Sequence, residues 1–161
     1  MKRYLLLAFL LVGCIDESAV IGDCGSVGDR EALCGWQSPE DMELLDDGQT
    51  VIVSEMEQGH GKVPGHLSLL HSVDGSRSPL SHNHVIDGER WGDVNCITPP
   101  GDYLAPHGID LSQRKDGRQQ LLVVNHGERE AVEFYEVNKG GGGYSLIWRG
   151  CAEAPVGTFM N

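Results

Sequence analysis

Two histidines stand at opposite ends of a short stretch that has the pattern of a β-hairpin. His107 comes just before the alternating run Ile109-Asp110-Leu111, and His126 comes just after the apolar run 121–124. Between them, Lys115-Asp116-Gly117 is typical of a turn. Because the start of one antiparallel strand lies beside the end of the next, we expect both imidazoles to project from the same rim of a sheet. Imidazoles exchange protons near neutral pH, so this rim is a candidate site for acid–base chemistry.

The strands that would hold these histidines belong to an internal repeat. The matching segments are Pro39 with Pro106, Met42-Glu43-Leu44 with Ile109-Asp110-Leu111, Asp46-Asp47-Gly48 with Lys115-Asp116-Gly117, and Val51-Ile52-Val53 with Leu122-Val123-Val124. Further strand patterns follow each copy, at 66–71 after the first and at 131–137 and 144–148 after the second. Strands repeating in sets of four predict an all-β fold made of β-propeller blades, and a sandwich of short strands is the alternative.

Composition limits the class of protein. The chain has 161 residues, 40% of them apolar, and its 24 acidic against 12 basic residues give a formal net charge of −12. This balance argues against a nucleic-acid partner and suits a soluble surface or a cation site. A closed ring of blades of roughly 40 to 50 residues each needs about 250 residues or more, so we expect about two blades here. Completing the ring would take a partner or a missing segment.

The N-terminus has the pattern of an export signal. Lys2-Arg3 precedes a short apolar run, 4–12, which is too short to span a bilayer. The following Leu11-Val12-Gly13-Cys14 resembles the lipobox of bacterial lipoproteins, which implies cleavage before Cys14 and a lipid anchor on it. We therefore predict a signal peptide over 1–13, a lipidated cysteine with a tether over 14–33, and a partial propeller over 34–161. The alternative is an ordinary signal peptide.

The other cysteines suit an oxidising compartment. With Cys14 assigned to the anchor, an even set remains, for which three pairings are possible. We favour Cys24 with Cys34, which is local, and Cys96 with Cys151, which brackets the histidine hairpin. No cysteine spacing typical of a zinc site occurs, so metal binding by these thiols is the weaker interpretation.

Three motifs, occurring in the family's order, carry a resemblance to a known family. SPEDMELL at 38–45, APHGIDL at 105–111 and LLVVNH at 121–126 resemble the paraoxonase/arylesterase family, close kin of gluconolactonase-like calcium lactonases. The resemblance covers roughly 34–161. It implies a six-bladed propeller with calcium in its central channel and hydrolysis of lactones or aryl esters.

The resemblance also implies roles for particular residues. Glu40 and Asn161 match ligands of the catalytic calcium, and Asp41 with the backbone carbonyl of Ile109 matches ligands of a structural calcium. His107 and His126 match a catalytic dyad, with His107 as the base. Without the resemblance, Glu40 and Asp41 could be a solvated pair at a strand start, His107 could cap a strand edge, and His126 could hydrogen-bond a loop. We interpret His60, His66 and His71 as solvated.

Three functional hypotheses follow. The first is a calcium-dependent hydrolase of small lactones or esters, anchored on the extracytoplasmic side of a bacterial cell envelope. The second is a non-catalytic, membrane-anchored propeller lipoprotein that acts as a binding module. The third is an incomplete or truncated form, because the Asp that the family places after Asn161 and the ligands from later blades do not occur in this sequence. A serine nucleophile has no support, since no GxSxG motif occurs.

Overall fold

A computed structural model describes residues 24–83 and 88–160. These residues form strands, turns and loops, so the predicted all-β class is confirmed. The described strands are β1 (Ser26–Val27), β2 (Arg30–Glu31), β3 (Pro39–Leu44), β4 (Thr50–Glu55), β5 (His66–His71), β6 (Arg77–Pro79), β7 (Ser81–Asn83), β8 (Pro106–Gln113), β9 (Gln119–Asn125), β10 (Ala131–Gly140) and β11 (Gly143–Glu153). Within the described ranges, no helix is long and apolar enough to cross a membrane.

The described chain divides at Cys34 into a short N-terminal part and a larger unit that begins at Gly35. In the N-terminal part, β1 and β2 form a two-stranded antiparallel ribbon, and a disulfide joins Cys24 to Cys34. In the larger unit a second disulfide joins Cys96 to Cys151, across 55 positions of sequence. Both pairings are those favoured from the sequence.

The first sheet of the larger unit is an antiparallel meander in the order β3-β4-β5-β6. The turn between β3 and β4 forms because the Asp47 carboxylate accepts the backbone amides of Gln49 and Thr50 and the Thr50 hydroxyl, at 2.7–2.9 Å. Gly48 beside it has φ of 66°, a left-handed conformation that glycine adopts without steric cost. Local side-chain bonding therefore fixes the first hairpin.

The second sheet has the order β7-β11-β10-β9-β8. Strands β8 to β11 form an antiparallel meander like the first sheet, and β7 pairs in parallel with β11 at its edge. Because β7 follows directly after the first sheet in sequence, the chain crosses to the outer edge of the second sheet before that sheet's own meander begins. The Cys96–Cys151 disulfide ties the connection after β7 to β11.

One hydrophobic core joins the two sheets. Successive side chains of a strand point to opposite faces, and one face of each sheet contributes to this core. Its buried members are Leu45, Ile52, Leu67, Leu69, Leu80, Cys96, Ile109, Leu121, Val123, Ala131, Tyr135, Val137, Leu146, Trp148 and Cys151. The two meanders therefore pack face to face.

The pairing register aligns the two meanders residue by residue. Pro39 lies opposite Glu55 on β4, and Pro106 lies opposite Asn125 on β9. In both cases a β-bulge then adds one residue to the first strand. The stretches that correspond in space are Val51-Ile52-Val53 and Leu121-Leu122-Val123. This match is one residue earlier than the match made from the sequence, because both strands are apolar at consecutive positions and so do not reveal which face each residue occupies.

Candidate functional site

Glu40 and His107 occupy the same position in the two meanders. Each follows the proline that opens the first strand of its sheet, and each lies in the bulge of that strand. Bulges redirect a side chain away from the regular alternation and occur often beside active sites. The repeat therefore brings a carboxylate from the first sheet and an imidazole from the second to equivalent places.

The two side chains meet. Oε2 of Glu40 lies 3.4 Å from Nε2 of His107, and the side chains are 37% and 27% exposed respectively. Nδ1 of His107 is buried, with no hydrogen-bond partner among the residues that the structure describes. Because Nδ1 is buried, Nε2 is the ring nitrogen through which His107 could exchange a proton with a bound molecule.

His126 lies beside His107, as the hairpin pattern predicts. The ring centroids are 5.2 Å apart and the ring planes are tilted by 52°. The backbone amide of His126 donates to the carbonyl of Ala105 at 3.0 Å, which closes the loop end of β9 against the start of β8. The structure thus brings both histidines to one rim.

Glu130 is a site residue that the sequence analysis missed. Its carboxylate oxygens lie 2.8 and 3.0 Å from Nδ1 of His126. This contact orients the ring and leaves Nε2 of His126 as its other polar atom. A carboxylate four residues after a histidine, before the next strand begins, is the only sequence signal that could have identified it.

Asp41 and Ile109 are in contact, but the contact involves the backbone amide of Ile109 and not the backbone carbonyl that the resemblance implies as a calcium ligand. Oδ2 of Asp41 accepts the backbone amide of Ile109 at 2.9 Å, and Oδ1 accepts the amide of Met42 at 2.8 Å. The hydroxyl of Ser54 donates to the carbonyl of His107 at 2.6 Å and accepts the amide of Asp41 at 3.0 Å. These bonds fasten β3 to β8. The role of the Ile109 carbonyl as a calcium ligand stays a prediction.

The carboxylate oxygens at this rim are the type of ligand that calcium prefers, but there are fewer of them than a calcium site needs. Calcium takes six to eight oxygen ligands, and this rim supplies the carboxylates of Glu40 and Asp41. Over residues 24–83 and 88–160, three possible ligand side chains come within 4.8 Å of one another only at Cys96, Cys151 and Glu153, where the two cysteines form a disulfide. Two of the predicted functional residues, Asn161 and Cys14, lie outside the described residues.

Two buried carboxylates were also missed. Glu55 and Glu133 are both fully buried. By the strand register, Glu55 corresponds to Asn125 of the second sheet. The side chain of Asn125 lies next to Glu133. Glu55 is bonded by Arg77 at 2.8 Å and by His66 at 3.0 Å. The His66 side chain is 39% exposed, as the interpretation as a solvated side chain expects, and its Nε2 also lies 2.8 Å from the Arg77 guanidinium.

The second buried carboxylate has a full set of donors. Arg129 bonds both oxygens of Glu133 at 2.8 Å, Nε1 of Trp148 donates to one of them at 2.8 Å, and Nδ2 of Asn125 lies 3.4 Å from the other. Oδ1 of Asn125 in turn accepts the amides of Ala105 and Gly127 at 3.0 Å. This network holds the backbone just before β8, which carries His107, and just after His126.

The chain matches no protein-family model and no curated protein sequence.

Proposed function

We propose that this protein is a calcium-dependent hydrolase of lactones or aryl esters, of the paraoxonase/arylesterase type, and that its two meanders are blades of a β-propeller. The observation that carries the proposal is the position of His107, whose Nε2 lies 3.4 Å from the Glu40 carboxylate and whose ring centroid lies 5.2 Å from that of His126. The propeller is supported by two antiparallel four-stranded meanders that pack face to face and share the same strand register. A four-stranded meander is the repeating unit of that architecture.

In this proposal His107 is the general base. It takes a proton from water as the water oxygen adds to the carbonyl carbon, and the protonated imidazole returns the proton to the leaving alkoxide or phenoxide. His126, oriented by Glu130, stabilises the positive charge on His107. Glu40 and Asn161 would hold the catalytic calcium, and Asp41 with the Ile109 carbonyl the structural one. When bound, calcium supplies charge that polarises the carbonyl and stabilises the oxyanion.

The activity is tested by hydrolysis of phenyl acetate and of a simple lactone, with calcium and with a chelator. Removing a general base costs roughly 100-fold to 10,000-fold in rate, so we expect a loss in this range for His107→Gln. His71→Gln, on β5, is the matched control and should keep the wild-type rate. Equal rates for the two variants, or a rate that the chelator leaves unchanged, would refute the proposal.

The proposed location is the extracytoplasmic side of a bacterial envelope, with a lipid on Cys14. Metabolic labelling with a radioactive fatty acid should label the wild-type protein and not Cys14→Ser. A label that persists in the variant would contradict the anchor, and this result would leave the hydrolase proposal untouched.

A second candidate function is a non-catalytic binding module. It is favoured by a groove of about 690 Å³ between the outer ends of the sheets, which neither His107 nor His126 lines. Polar side chains line much of it, including Asp47, His71 and Tyr144. A sugar or peptide that raises the melting temperature of the wild type but not of Tyr144→Ala, in a protein without hydrolytic activity, would support this candidate.

A further inference from the structure

The two sheets pack against each other through one face of each. Because the sheets are repeats of one another, each also carries, on its other face, the counterpart of the face that its neighbour uses in the core. On the first sheet, the face in the core includes Ile52, Leu67 and Leu69. By the strand register, the corresponding residues of the second sheet are Leu122, Val132 and Phe134. These three lie on the opposite face of the second sheet from its core residues and are only half-buried. With Val124, they are called the head face.

The same relation holds at the other end of the unit. The second sheet meets the first through a face that includes Ile109, Leu121 and Tyr135. By register, the corresponding residues of the first sheet are Met42, Val51 and Leu70. With Leu44, these residues are called the tail face.

Exposure differs between equivalent positions at β3, the edge strand of the tail face, whereas Val53, the β4 residue that pairs with Met42 on the same face, is only 2% exposed. Met42 on the tail face is 63% exposed, whereas its counterpart Ile109, inside the core, is 8% exposed. Leu44, beside Met42 on the same face, is 55% exposed. Large apolar side chains repeated along one sheet face mark a surface that another element covers.

The head face has a matching hollow. A cavity of about 370 Å³ opens over its apolar side chains, between them and the edge of β8. The residues that line it are Asp41, Gly108, Ile109, Asp110, Leu122, Val124 and Val132. The head face therefore offers apolar surface with a recess, and the tail face offers apolar side chains that stand out from the sheet.

We propose that a second copy of this chain docks its tail face on the head face of the first, repeating between molecules the packing that already exists between the two sheets. The interface is heterologous, because two different surfaces meet, so successive copies either close into a ring or extend as a filament. The net charge of −12 on each copy opposes the association, which should therefore strengthen with salt. This inference does not depend on the proposed hydrolase activity.

The test is the molar mass of the purified full chain in solution, measured by light scattering over a wide concentration range. Wild type should exceed the monomer mass, more so at higher salt. Leu44→Lys on the tail face and Leu122→Lys on the head face should each give a monomer. Val73→Lys is the matched control, because Val73 is 77% exposed but lies in the turn after β5. It should associate like wild type.

Mixing the two blocked variants separates head-to-tail docking from a symmetric dimer. Leu44→Lys keeps an intact head face and Leu122→Lys keeps an intact tail face, so the mixture should form a one-to-one dimer and stop there. If circular dichroism shows that Leu122→Lys is unfolded, Val124→Lys takes its place. A wild type that stays monomeric at every concentration, or a mixture that stays monomeric while wild type associates, would overturn the proposal.

Discussion

Replacing Arg129 with methionine tests whether the network around Glu133 stabilises the second sheet. The Glu133 side chain is fully buried and the Arg129 side chain is 18% exposed, and the guanidinium bonds both carboxylate oxygens at 2.8 Å. Methionine keeps most of the aliphatic volume of arginine and removes the charge. The variant therefore leaves a buried carboxylate with the indole of Trp148 and the amide of Asn125 as its remaining donors.

The expected loss in the free energy of unfolding depends on the hydrogen-bond donors that Glu133 keeps in Arg129→Met. Removing one partner of a buried ion pair costs about 3–5 kcal/mol, because the other charge is left without compensation. Since Arg129 is partly exposed and the Trp148 indole still donates to the carboxylate, we expect a loss near the lower end, about 3 kcal/mol. The double variant Arg129→Met/Glu133→Gln removes the uncompensated charge, and we expect it to be more stable than Arg129→Met alone.

The free energies of unfolding are measured by urea titration followed by circular dichroism. Lys139→Met is the control, since Lys139 pairs with Asp46 at 3.4 Å with both side chains about half exposed, and its midpoint should match wild type. If Arg129→Met is no less stable than Lys139→Met, or if the double variant is no more stable than Arg129→Met, the buried-charge reasoning is wrong.

Two other predictions concern stability. Replacing both Cys96 and Cys151 with alanine should lower the free energy of unfolding by about 4 kcal/mol under oxidising conditions, by the loop-entropy relation for a crosslink spanning 55 positions, and the difference should vanish in reductant. For Asp47, the backbone amide two residues later and the hydroxyl and amide of Thr50 lower the carboxyl pKa from 3.8 to about 2. A lowered pKa stabilises the fold above the unfolded-state value and loses that contribution as pH falls through the folded value. Asp47→Ala should therefore melt below wild type at neutral pH and approach it as pH falls from 3.8 to 2, and a gap that does not narrow would contradict this assignment.

Much of the local structure could be predicted from the sequence. The alternating and β-branched runs indicated the strands that became β4, β8 and β9, and the Asp-Asp-Gly turn formed where its side-chain bonding requires it. The hairpin pattern also predicted that His107 and His126 lie together, because antiparallel pairing places the start of β8 beside the end of β9. These features depend on contacts between neighbouring segments.

The buried polar groups could not be predicted in the same way. Glu55 and Glu133 look like ordinary solvated residues in a strand, and only the packing of the sheets removes them from water. The alignment of β4 with β9 that was made from the sequence was also wrong by one residue, because strands that are apolar on both faces have no alternating pattern to set the register.

The sequence by itself determined an all-β chain with a repeated meander, an even set of cysteines able to form two disulfides, and a hairpin that joins two histidines. It could do so because periodicity, turn residues and cysteine number act over short distances or by simple count. Only the tertiary structure decided that Glu40 faces His107, that Glu130 holds His126, and that Asp41 bonds the amide of Ile109. The contacts of Glu40 and Asp41 join different sheets, and the Glu130 contact depends on how a loop folds back, so they arise from bulges and packing that the pattern of residue types does not encode.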